Sequence, residues 1–191
     1  MKPTIILASS SPRRRALLEQ IGISFSLDPA DVDERMLPGE TPEAYAVRVA
    51  LDKARVAAGR ARTGIVIAAD TIVVVGDTIL GKPVDAADAR RMLSMLSGRE
   101  HEVVTGLAVM DAVSRRSSVR TSVTKVCFRK LSEREISAYV ATGEPLDKAG
   151  AYGIQERGAL LVERIEGCYS NVVGLPLSLL GEMLCNYGII T

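Results

Sequence analysis

Seven consecutive residues, Ser9-Ser10-Ser11-Pro12-Arg13-Arg14-Arg15, combine hydroxyls with guanidiniums at the point where a short apolar stretch gives way to a helical pattern. Free backbone N–H groups and the helix dipole favour an anion at such a junction. Arginine can grip phosphate oxygens in pairs, so a polyphosphate would suit the place. The other reading is a capped helix with a solvated basic first turn. Positive charge at a helix N-terminus opposes the dipole, and a local cost without local gain points to function. The glycines of a P-loop are missing.

Asp70 is the second oddity. It interrupts the apolar run Ile65 to Val75, and a carboxylate there is costly unless paired, bound to metal, or set at a strand end facing a cleft. It could equally be a surface turn or bulge aspartate. Lys53 is the third. It falls on the same helical stripe as Ala46, Ala50 and Ala57, while Arg48, Asp52 and Arg55 point elsewhere. It either snorkels to water or reaches into a cleft. Lys82, in Gly81-Lys82-Pro83, sits on a rigid turn that could present a charge. The loop with Asp31, Asp33 and Glu34 could join Asp70 in holding Mg²⁺, which prefers oxygen ligands, or could simply be solvated.

These groups need a scaffold. Thr4–Ala8 reads as a buried strand, followed by a helix that Ser11 caps and Pro12 opens. Ser24–Leu27 reads as a strand and residues 29–39 as a polar loop. Thr41 and Pro42 open a long helix to about Ala61. Ile65–Val75 is extended and turns back at Gly76-Asp77 through Ile79. A helix over Asp85–Ser97 closes at Gly98. Strands over Glu102–Met110 and Val119–Phe128 follow, and Ser132 with Glu135 forms a capping box for a helix to about Thr142. Gly143–Gly158 is a loop without period, Leu160–Ile165 a strand, and Pro176 begins a last helix ending near Asn186. Helices alternating with strands and hairpins imply an α/β fold with a mixed sheet.

Bulk properties narrow the classes. The chain has 191 residues, enough for one domain or two lobes sharing a core. With 47% hydrophobic and 25% charged residues it is of globular composition, so disorder is not expected. A net charge of +1 gives no argument for nucleic-acid or membrane binding. Cys127, Cys168 and Cys185 show no disulfide or zinc spacing, which implies buried free thiols in a reducing compartment. No stretch is long enough for a signal peptide or a membrane span. The sole histidine, His101, has no nucleophile elbow to serve.

Taken together, these segments resemble the Maf family from about Ile5 to Leu184. The matching stretches are Leu7-Ala-Ser-Ser-Ser-Pro-Arg-Arg14, Val32-Asp-Glu34, Lys53-Ala54, Ala69-Asp-Thr71, Gly81-Lys-Pro83, the MLSMLSG run from Met92, His101-Glu-Val-Val-Thr105, the run Gly143 to Gln155, and Asn171-Val-Val-Gly-Leu-Pro176. The resemblance implies an elongated α/β fold like that of the inosine-triphosphatase group (Maf/Ham1-type). A mixed sheet with flanking helices would surround a central cleft, with residues 1–191 forming one domain of two lobes. It implies hydrolysis of a nucleoside triphosphate between the α and β phosphates, with Asp70 as proton acceptor. Ser9, Arg13, Arg14, Glu34, Lys53 and Lys82 match the family's pocket positions, and Glu34 with Asp70 would hold a divalent cation, Mg²⁺ or Mn²⁺.

The family divides by substrate, and Arg13, Thr71 and Gln155 are the set of its dTTP/UTP branch. The 7-methyl-GTP branch tends to carry Trp, Gln and Glu there. After Gln155 this chain has Glu156 where the family commonly has Gly. The resemblance further implies a cytoplasmic homodimer that cleans the nucleotide pool, with neither nucleic-acid nor membrane partners. Three rivals stand beside this expectation: a 7-methyl-GTP pyrophosphatase, a nucleotide-binding regulator of septum formation with little turnover, and a nucleic-acid-binding module. Near-neutral charge and 4% aromatic residues weigh against the last.

Overall fold

A computed structural model describes residues 3–190. The element order is β1 (Ile5–Leu7), α1 (Pro12–Gln20), β2 (Phe25–Leu27), α2 (Pro42–Arg60), β3 (Ile65–Val75), β4 (Thr78–Leu80), α3 (Ala86–Leu96), β5 (Glu100–Asp111), β6 (Ser117–Phe128), α4 (Glu133–Val140), β7 (Val162–Glu166), α5 (Tyr169–Val173) and α6 (Leu177–Cys185). Short 3-10 turns cover Glu144–Asp147, Ala149–Ala151 and Glu156–Leu161. The seven strands form one sheet in the order β2-β1-β3-β5-β6-β7, with β4 paired to β3. It is mixed, as expected: β1 runs parallel to β2 and β3, while β3–β4 and β6–β7 are antiparallel.

Most helix boundaries follow from local chemistry. The Ser11 and Thr41 side chains accept from Arg14 and Ala44 N–H, with proline in the first turn of each helix. Asp85 caps α3, and Ser132 and Glu135 form the expected reciprocal box on α4. Gly98 closes α3 with a φ of 67°, a left-handed conformation that favours glycine. Two expectations need correction. Leu160 and Leu161 belong to a 3-10 turn, so β7 starts at Val162. The cysteines are free but not buried: Cys185 is exposed, and Cys127 and Cys168 are intermediate.

The chain divides into two compact units. The first holds the described residues up to Asp70, Thr105–Ser122, and those from Gly174 onward. Its core is built from small residues. Ala50, Ala54, Ala57 and Ala58 of α2 pack on Ile6, Val66, Ala68 and Ala108 of the sheet. The helix lies very close to β5, since a Cβ on Gly106 would fall 2.1 Å from the Ala46 carbonyl oxygen. Only glycine fits there.

The second unit holds Thr71–Val104 and Val123–Val173. Its core uses larger side chains: Met92, Leu93 and Leu96 of α3 join Phe128, Tyr139 and Tyr152. Ring pairs among His101, Phe128 and Tyr152 meet edge-on, with centroids 4.6–5.3 Å apart.

Candidate active site

Asp70 and Lys53 meet because two periodicities point the same way. Along β3, Val66, Ala68 and Asp70 share a face, and Val66 and Ala68 pack on the α2 alanines. Lys53 lies on that alanine face of α2, three residues after Ala50. It therefore turns inward rather than snorkelling. Both side chains are nearly buried, Lys53 at 9% and Asp70 at 7% exposure. Lys53 Nζ donates to Asp70 Oδ1 at 2.7 Å. The same ammonium stands 2.7 Å from Glu34 Oε1. Two carboxylates thus converge on one cation. A buried ion pair costs several kcal/mol of desolvation per ion, and removing either partner strands the other. The pair makes sense as chemistry rather than as stability.

Asp70 also stands where β1 has ended. The β1–β3 register closes at Leu7↔Ile67, and the chain after Leu7 leaves for the serine loop. That loop is tightly tied. Ser9 Oγ accepts from Ser11 N–H at 3.2 Å and from Arg14 Nη1 at 3.2 Å, and Arg14 Nε donates to the Gly174 carbonyl at 2.8 Å. Arg14 thereby braces the loop against the segment before α6. Burial pulls the Arg14 guanidinium below the ordinary arginine range, Asp70 and Glu34 oppose this, and Arg13 adds like-charge repulsion. The expected basic anion site therefore lies within electrostatic reach of the carboxylates.

The acidic loop resolves into different roles. Glu34 turns to Lys53. Asp33 is exposed and bonded through both oxygens to Arg35, which holds its carboxyl down to about 2. Among the described residues no group of three or more His, Cys, Asp or Glu is placed to hold a metal. Glu34 and Asp70 are hard oxygen donors of the kind that Mg²⁺ takes, and both are turned to the Lys53 ammonium. Sequence reasoning missed what holds Glu34. Tyr45 Oη–H donates to the Glu34 carbonyl at 2.7 Å, and Arg48 binds Glu40 through two nitrogens and the Arg35 carbonyl through Nη2. Burial, with Asp70 and Glu34 nearby, pushes the Tyr45 phenol up to about 12, so it remains a donor. The readable signal was the i, i+3 spacing of Tyr45 and Arg48 on the helix that follows an acidic loop.

Thr71, Lys82 and Gln155 belong to the second unit. Thr71 follows Asp70 along β3 and is half-buried; Lys82 and Gln155 are exposed. The turn carrying Lys82 is pinned by the bond from Gly150 N–H to the Gly81 carbonyl at 3.0 Å. Also in this unit, a groove of about 730 Å³ lies between the 142–148 stretch and Glu156–Arg157. It is lined by acids and bases alike; of the residues singled out from the sequence only Glu156 is among them, and none of the expected substrate or metal residues is. His101 is a core residue. Its Nε2 is 2.8 Å from Tyr152 Oη, and burial lowers its pKa to about 4.

The sequence model of the family described as "Maf-like protein" matches residues 4–187. A protein of Syntrophomonas wolfei named dTTP/UTP pyrophosphatase is 50% identical over 95% of this chain and 96% of its own length. One of Geobacter sulfurreducens with the same name is 51% identical over 98% of both chains, and one of Geotalea uraniireducens 53% identical over 99% and 97%. Among solved structures, that of a HAM1 protein from Coxiella burnetii covers 96% of this chain and 99% of its own, with a TM-score of 0.54 at 15% identity. That likeness establishes the fold, the inosine-triphosphatase type expected from the sequence. Among the described residues no helix is long and apolar enough to cross a membrane.

Proposed function

The chain belongs to the Maf family, and we propose that it is a dTTP/UTP pyrophosphatase, cutting the nucleotide to its monophosphate and pyrophosphate. The observation that carries the reading is the buried Lys53–Asp70 pair with Glu34 on the same ammonium, in a chain half-identical to enzymes of that name.

Water attacks the α-phosphorus in line, the bond from that phosphorus to the α–β bridging oxygen breaks, and pyrophosphate leaves. Asp70 orients the water and takes its proton. Lys53 fixes the carboxylate by donating to its Oδ1. Arg13 and Lys82 neutralise charge growing on the phosphates, the main lever in phosphoryl transfer. Ser9 and Arg14 shape the phosphate loop. Glu34 and Asp70 would hold a divalent cation, Mg²⁺ or Mn²⁺, which would supply charge neutralisation and polarisation of phosphate oxygens. Thr71, Gln155 and Arg13 set the preference for thymine and uracil.

In this reading residues 1–191 act as one catalytic domain, and the enzyme works as a homodimer on the free nucleotide pool of the cytoplasm. Free thiols suit a reducing compartment. The test is a panel of nucleoside triphosphates, with and without Mg²⁺, scored for pyrophosphate against orthophosphate. The expected result is pyrophosphate from dTTP and UTP. Orthophosphate as direct product would refute the bond assigned, preference for 7-methyl-GTP would refute the base, and binding without turnover would favour a regulator.

A further inference from the structure

Gln155, which the proposed function uses for base recognition, is exposed near the crest of a short arch from Gly153 to Gly158. Both feet of that arch rest on one pair of side chains. The Gly153 N–H donates to Tyr139 Oη at 3.3 Å, and the Gly158 N–H donates to Glu144 Oε1 at 3.2 Å. Tyr139 Oη–H closes the triangle by donating to the same Glu144 oxygen at 2.9 Å.

The feet also touch each other. A Cβ at Gly158 would lie 1.9 Å from the Gly153 carbonyl oxygen and 2.7 Å from Tyr139 Oη, so only glycine closes the arch. Ile154 is buried beside one foot. Lys148 Nζ holds the Glu144 carbonyl at 2.6 Å. The chain must therefore leave and return within a few ångströms and project residues 155–157 outward. Glu156 takes a left-handed φ of 53° to do so, a conformation disfavoured for a residue with a Cβ. Such a strained turn persists only when its surroundings over-determine it. Burial and the Glu144 carboxylate raise the pKa of the Tyr139 phenol, which keeps its proton and its role as donor.

We propose that Tyr139 and Glu144 are positioning residues for base selection: they fix the arch that presents Gln155, and so the discrimination of thymine and uracil from other bases, without touching the nucleotide. The proposal rests on the base-recognition role given to Gln155.

The experiment compares kcat and KM for dTTP, UTP and dCTP in the wild type and in Tyr139→Phe, Glu144→Ala, Glu144→Gln and Gln155→Ala. Tyr139→Phe keeps the buried ring and removes both hydroxyl bonds. It and Glu144→Ala are expected to lower the dTTP-to-dCTP ratio of kcat/KM by about tenfold, since small misplacements of a recognition group cost one to two orders of magnitude. The loss should fall on KM for dTTP, with kcat largely kept. Glu144→Gln retains an oxygen that accepts the same two bonds, and should restore the ratio. A fall shared equally by all three nucleotides, or Glu144→Gln losing as much selectivity as Glu144→Ala, would overturn the proposal. Gln155→Ala separates the two levels. If it alone collapses the ratio, the positioning role fails and the base reading stands. If no variant moves the ratio, the base reading falls and this inference falls with it.

Discussion

Among the described residues two titratable side chains are buried in strands, and the fold treats them in opposite ways. In the first unit, Asp70 is 7% exposed and is met by a lysine from another element. In the second, His101 is 2% exposed and lies among aromatic rings. Its Nε2 meets the Tyr152 phenol, and burial holds its pKa near 4. One site answers a carboxylate in an apolar wall with a second charged group, and Glu34 joins as a third. The other discards its charge. Burial alone therefore does not mark a reactive group. A committed counter-charge is the feature that separates Asp70 from His101, and desolvating such a pair adds little stability by itself.

The contrast can be broken at several points. The largest effect is expected at the carboxylate. Asp70→Asn should lower kcat at least about 100-fold, the lower bound for losing a general base, while nucleotide binding measured by calorimetry persists. Near-normal turnover would remove Asp70 from the reaction. Next, Lys53→Met leaves two carboxylates facing each other and should cost about 3–5 kcal/mol in denaturant unfolding. Combining it with Asp70→Asn should recover part of that loss, whereas strict additivity would mean the two groups are uncoupled.

His101 should reveal itself through pH. Its folded pKa of about 4 lies below the ordinary 6.5, so the unfolded chain binds the proton first as pH falls. The stability it supports is whole above pH 6.5 and drains away toward pH 4, by on the order of 3 kcal/mol at 1.36 kcal/mol per unit. His101→Gln should flatten that part of the stability–pH curve; an unchanged slope would mean that the imidazole is not the group responsible. The smallest effect is expected at Glu156. Exchange for glycine relieves the left-handed backbone but frees the unfolded chain, so Glu156→Gly should raise stability by only about 0.5 kcal/mol. A clear loss would show that the glutamate side chain supports the arch.

The elements were legible where a local signal exists. Ser11-Pro12, Thr41-Pro42 and Ser132 with Glu135 mark their helix starts through side-chain caps that need no tertiary information. Lys53 was legible as an anomaly on an alanine face. Its partner was not, because a contact between residues 17 apart depends on how α2 settles on the sheet. The acidic loop was ambiguous for a related reason: Asp31, Asp33 and Glu34 differ in where the backbone aims them, and Tyr45 and Arg48 decide that. The 143–158 stretch gave no period because 3-10 turns are too short to show one. Leu160, just beyond it, read as the start of a strand though it lies in a 3-10 turn, and α5 was missed altogether.

The close seat of α2 over Gly106 carries a consequence for how this protein can vary. The Lys53 ammonium must reach Asp70 across the gap that Ala46 and Gly106 set, and neither of these residues has any chemistry of its own. A single added methyl at position 106 would wedge the helix outward and withdraw the lysine from its partner. Substitutions in this inert seam should therefore surface as lost turnover, so an assay of catalysis would detect a packing fault that a map of reactive side chains would never indicate.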